Sequence, residues 1–74
     1  MKRVEVTWVD SAGAATPWIH ATRETLTIDT CTSVGYLVSQ DKTQILLAQS
    51  RSQSQIGHPL AIPRVAVTRI RKLK

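Results

Sequence analysis

From Lys2 to Val9 the chain alternates, with Val4, Val6 and Trp8 on one side and Arg3, Glu5 and Thr7 on the other. A period of two with one apolar side predicts a half-buried β-strand. Asp10-Ser11-Ala12-Gly13 ends it with turn-forming residues. Thr16-Pro17 then reads as a helix N-cap with proline at the first helical position, followed by one or two turns through Trp18, Ile19 and Arg23. The threonine-rich run Thr25 to Thr32 alternates weakly through Leu26 and Ile28, which suits an extended chain as well. Residues 17–28 are therefore left open between helix and strand.

The clearest pattern is SVGYLVSQDKTQILLAQS, residues 33–50. Val34, Tyr36 and Val38 alternate with Gly35, Leu37 and Ser39, Asp41-Lys42 supplies a turn, and Thr43 to Ala48 is a second apolar strand. Two strands about a short polar turn predict a hairpin. Gly35 inside a strand predicts a bulge or strong bend. The polar stretch SRSQSQIGH, residues 50–58, predicts a mobile loop or an extended hairpin tip. His58 to Ile62 is a further short strand, and Pro63 must stop its ladder or lie on an edge because proline has no backbone N–H. Ile62, Ala66, Ile70 and Leu73 share a helical face, yet β-branched Val65, Val67, Thr68 and Ile70 favour a strand. The reading taken is a brief helical turn at Pro63–Ala66 and then a strand to Leu73.

The predicted fold is all-β: one domain, residues 1–74, forming a small five-stranded antiparallel SH3-like barrel with a short helical segment. No helix is long enough to cross over between parallel strands, and closure would hide the sheet edges. A chain of 74 residues buries a modest fraction of its surface. Cys31 is the only cysteine, so no internal disulfide can staple the fold, and His20 and His58 are too scattered to suggest a metal site. Oligomerisation is the remaining route to more buried area. A single cysteine fits a reducing cytoplasm. The Met1-Lys2-Arg3 start runs at once into Glu5 and Asp10, which predicts no signal peptide, and no apolar run suggests a membrane span.

Ten basic residues against five acidic ones give a formal charge of +5, which favours polyanions, whether RNA or other nucleic acid, nucleotides or another phosphate-bearing ligand, or an acidic protein surface. The basic residues form two sets, Lys2 and Arg3 at the start and Arg64, Arg69, Arg71, Lys72 and Lys74 at the end. If the first and last strands are neighbours, the sets merge into one phosphate-gripping patch; the plainer reading is a solvated face that discourages edge-to-edge aggregation. Phenylalanine is absent, so a wide base-stacking platform is not expected. Trp8 and Trp18 read first as core residues, Trp18 capping one barrel end, with base stacking as a second role for Trp18 or Tyr36. His58 beside Pro59 reads as a turn residue that would join an anion site if it lay near Arg64. Nothing in the spacing links Cys31 to a histidine base, the carboxylates are scattered, and there is no glycine-rich phosphate loop or expected cofactor, so no enzyme is predicted.

Gly35, Asp41 and Leu46-Leu47, with Ile62-Pro63-Arg64 and Val67 further on, resemble the two motifs of the Sm-like family, which includes the eukaryotic Sm proteins and the bacterial RNA chaperone Hfq. The resemblance covers about half the chain. It implies a homo-oligomeric ring, in which the fourth strand of one subunit pairs with the fifth of the next, and RNA contacts carried over to Arg64 alone. The chain departs from the family in beginning with a strand, Arg3–Val9, in place of a long helix, and in having Pro63-Arg64 where Sm proteins have Arg-Gly and Hfq has Lys-His. The WVDS, SVGYLV and AIPR stretches are also similar to short proteins of tailed bacteriophages. That likeness implies a host-cytoplasmic setting and no mechanism. The alternative function is a protein-interaction module that docks on a host or phage protein through the Ser50–His58 loop, Arg51 included, and exposed aromatics.

Overall fold

A computed structural model describes residues 1–11, 18 and 28–74. Five strands are present among them: β1 (Arg3–Asp10), β2 (Asp29–Gln40), β3 (Gln44–Arg51), β4 (Ile56–Pro63) and β5 (Val67–Leu73). All pairings are antiparallel, in the spatial order β4-β3-β2-β1-β5. Each of β1 to β3 hydrogen-bonds its successor, and β5 returns to lie along β1. The helical segment at Thr16-Pro17 and most of residues 17–28 lie outside the described residues.

The alternation seen in the sequence places the core. Val4 and Val6 of β1, Ile45 and Leu47 of β3 and Ile62 of β4 form one buried cluster, with Trp8, Leu37 and Val67 packed against it. Register explains why these residues meet. Ile45 stands opposite Ile62, and Val6 opposite both Ser33 and Ile70. Directly opposed residues share a face, so each pairing carries the apolar side of one strand onto the next. The indole N–H of Trp8 donates to Ser33 Oγ at 3.0 Å, which satisfies the polar end of a half-buried ring.

Curvature comes from two irregularities. In the β2–β3 ladder Leu37 pairs with Leu47 and Ser39 with Leu46, leaving Val38 as the extra residue. In the β1–β5 ladder Thr7 pairs with Arg69 and Trp8 with Val67, leaving Thr68 extra, and the Thr68 hydroxyl donates to the Thr7 carbonyl at 3.1 Å. Such bulges bend and twist the bulged strand. The bend expected at Gly35 is thus centred three residues later. Gly35 is there for closeness instead: a side-chain carbon on it would meet the Ala48 carbonyl oxygen at 2.8 Å.

The polar run 50–58 is the extended hairpin tip of the two alternatives. β3 and β4 pair out to Arg51 and Ile56, and Ser52 N–H donates to the Gln55 carbonyl at 2.8 Å. His58 is not a turn residue. It lies within β4, with a left-handed φ of 50°. Pro63 ends the β4 ladder, and a 3-10 turn, Arg64–Ala66, leads directly into β5.

The sheet curls like a barrel but stays open between β4 and β5, which do not pair. Backbone direction shows why β4 makes a poor closing edge. Arg64 N–H donates to the Thr43 carbonyl at 2.9 Å, so by alternation Leu60 and Ile62 turn their polar groups toward β3. Pro59, Ala61 and Pro63 turn theirs outward. Two of those three positions have no N–H, which protects the edge from indiscriminate pairing.

Candidate nucleic-acid interface

Arg64 enters the site through the backbone. Pro63 ends β4, the 3-10 turn follows, and the bond from Arg64 N–H to Thr43 pins that turn against the β2–β3 connection. The guanidinium then reaches across: Arg64 Nη1 donates to Gln40 Oε1 at 2.9 Å. Gln40, Asp41, Lys42 and Arg64 line a shallow hollow of about 410 Å³. Two cations from connections far apart in sequence therefore flank one opening.

Asp41 adds a negative charge to that opening, but its carboxylate is engaged. Asp41 Oδ1 accepts hydrogen bonds from the Thr43 hydroxyl and N–H, both at 2.8 Å, and from Gln44 N–H at 2.9 Å. These bonds favour the ionised form and hold the carboxyl below its ordinary value, the Thr43 hydroxyl having the largest effect. Asp41 thus organises the turn that carries Lys42. Gln40 and Lys42 are the site members that sequence reasoning missed. In the sequence Lys42 is legible only as a turn residue, and Gln40 gives no signal, because its contact with Arg64 spans 24 residues.

The terminal basic residues do come together. β1 and β5 are neighbours, with Arg3 opposite Leu73 and Val4 opposite Lys72, so Lys2, Arg3, Lys72 and Lys74 gather at one end of this pair. Arg71 is partly neutralised by Glu5, with Nη2 at 3.0 Å from Oε2. Arg69 is exposed opposite Thr7. Arg64 does not join this group, since it precedes β5 while Lys72 and Lys74 lie at its end, roughly 20 Å along the strand. His58 is likewise remote from Arg64, near the other end of β4. It borders a different hollow of about 250 Å³, with Ser33, Leu47, Gln49 and Leu60 among its walls.

The aromatic residues divide. Tyr36 is half-buried, and the Arg51 guanidinium lies over its ring, 5.2 Å from the centroid. Trp18 is 90% exposed, not a cap on the barrel. The core cluster is aliphatic, and Trp8 is the tryptophan packed on it. Cys31 is a free, half-buried thiol, and His20 lies outside the described residues. Among the described residues no group of three His, Cys, Asp or Glu side chains is placed to hold a metal ion, and no helix is long and apolar enough to cross a membrane. No family model, curated protein or solved structure matches this chain.

Proposed function

We propose that the protein is a non-enzymatic, Sm-like RNA-binding protein of the cytoplasm that grips the phosphates of a single strand through Arg64 and Lys42 and acts as a homo-oligomer. The observation that carries this reading is the Arg64 guanidinium, held by Gln40 beside Lys42 at an open hollow. One of its five donors is used on Gln40, which leaves others to fork onto a phosphate. The strand order is compatible with the oligomer, because it leaves β4 and β5 as the two edges that an Sm-like ring would join; with Pro59 and Pro63 facing outward, β4 would join chiefly through its carbonyls and the Ala61 N–H. Repetition around a ring would multiply a weak local charge.

The test is fluorescence polarisation with a labelled single-stranded RNA at low and high salt, alongside light scattering. Binding at low salt that weakens as salt rises is expected. Arg64→Ala should lower affinity roughly 10- to 100-fold, the range for losing a hydrogen bond to a charged group. No binding at low salt overturns the reading, binding indifferent to Arg64 moves the site, and a monomeric mass removes the ring.

A second reading, docking on a host or phage protein, draws on apolar side chains left in the open, with Val34 60% and Leu60 40% exposed beside the His58 hollow. Leu60→Ser should then abolish capture of that partner while leaving RNA affinity unchanged; the opposite pattern excludes it.

A further inference from the structure

Another cleft, which shares Val34 and Gln49 with the His58 hollow, is lined by β1, β2, β3 and the end of β5. It measures about 280 Å³ and is bordered by Arg3, Val34, Tyr36, Gln49, Leu73 and Lys74. Its floor is apolar: Tyr36 and Leu73 are half-buried, and Val34 stands at the mouth. Gly35 also lines it and contributes backbone with no side chain. Arg3 and Lys74 supply cations at the rim, and neither has an acidic partner among the described residues. Glu5, the nearest acid along β1, is held by Arg71 at 3.0 Å, which keeps its charge engaged on β5.

These features define a ligand. An apolar floor under two unpaired cations suits a flat hydrophobic ring bearing an anion, and it offers a free phosphate nothing beyond the rim. Arg51 covers one face of Tyr36 and steadies the ring, so a second flat group would lie against Val34 and Leu73 and the remaining side of Tyr36. The Gln49 amide provides a donor and an acceptor for the edge of such a group. We propose that this cleft binds one nucleotide of an RNA strand, the base on the apolar floor and the phosphate on Arg3 and Lys74.

The inference deepens the RNA-binding reading and rests on it for the polymer, but the cleft is testable alone with adenosine monophosphate. In methyl and amide NMR titrations, the nucleotide should shift Val34, Gly35, Tyr36 and Leu73 together. Inorganic phosphate should shift Arg3 and Lys74 and leave the Val34 and Leu73 methyls in place. Arg3→Gln should weaken the nucleotide roughly tenfold. Val34→Glu, a change at an exposed position that puts an acid at the mouth, should abolish the shifts, with the remaining spectrum reporting that the fold is kept. Arg64→Ala should leave them intact.

Phosphate and nucleotide shifting the same signals alike would overturn the inference, as would a nucleotide that shifts none of the four. RNA bound through Arg64 with a silent cleft would sink the cleft alone. A responsive cleft in a protein that binds no RNA would keep the nucleotide site and sink the RNA-binding reading.

Discussion

Gly35 lies so close to Ala48 on the next strand that a methyl group added to it would stand 2.8 Å from the Ala48 carbonyl oxygen. The oxygen belongs to β3 backbone that is paired on both sides, Ala48 standing opposite Tyr36 of β2 and Pro59 of β4, so it cannot readily swing aside. Two effects oppose each other in Gly35→Ala. Restricting the unfolded chain would stabilise by about 0.4–1 kcal/mol if the new side chain fitted. Forcing an extra carbon into a packed site costs about 1–3 kcal/mol. At 2.8 Å the clash wins, and urea unfolding should show a lower midpoint for the alanine variant. A higher midpoint would show that β2 and β3 separate more readily than this packing implies.

The strands were legible because each solves a local problem. Val4, Val6 and Trp8 alternate, Asp41-Lys42 interrupts, and Pro63 stops a ladder, and all of these depend on near neighbours. What stayed hidden depends on partners far along the chain. The use of Gly35 is set by Ala48 across the sheet, and the bulge at Val38 leaves no mark in a run that alternates on both sides of it. The unpaired edges follow from which way Pro59 and Pro63 point, a property of register and not of composition. The merging of Lys2 and Arg3 with Lys72 and Lys74 could be anticipated from the usual neighbourhood of first and last strands. The joining of Arg64 to Gln40 could not, since nothing local couples a residue after β4 to the end of β2.

Ile62 tests how much of the stability lies in the central cluster. It is fully buried on β4 opposite Ile45 of β3. Ile62→Ala should destabilise by about 2–5 kcal/mol, against about 0.5–1.5 kcal/mol for Ile62→Val. A domain of 74 residues holds roughly 4–11 kcal/mol in total. The alanine variant should therefore unfold at a much lower urea midpoint or be partly unfolded without denaturant, while the valine variant stays folded. Equal midpoints for the two would mean that the site collapses around the cavity.

Ser33 accepts the only hydrogen bond described for the Trp8 indole. Ser33→Ala leaves that half-buried N–H to find water, at a cost of about 1 kcal/mol. Trp8→Phe removes the donor as well, so in the double variant the two losses should not add. A double-mutant cycle by denaturation reads the coupling directly. Strictly additive losses would mean that the bond contributes nothing to stability.

Turn formation at Asp41 should respond to acid. Its carboxylate accepts from the Thr43 hydroxyl, Thr43 N–H and Gln44 N–H, and these bonds hold it below its ordinary value of 3.8. A group depressed on folding contributes stability that is fully present above its unfolded value and is lost as pH falls through the folded one. The contribution should therefore be complete at neutral pH, begin to fall near pH 3.8 and vanish at lower pH. Asp41→Ala lacks it at every pH. Melting midpoints of the two proteins should differ most above about pH 5 and converge toward about pH 2. The two proteins share every other acidic residue, so the difference between them isolates Asp41. A gap that stays constant across this range would mean that Asp41 stabilises the turn equally well when protonated. The same turn carries Lys42 toward Arg64, so RNA affinity should weaken in Asp41→Ala at neutral pH even though the variant is more positive. Tighter binding would mean that the added charge outweighs the positioning of Lys42.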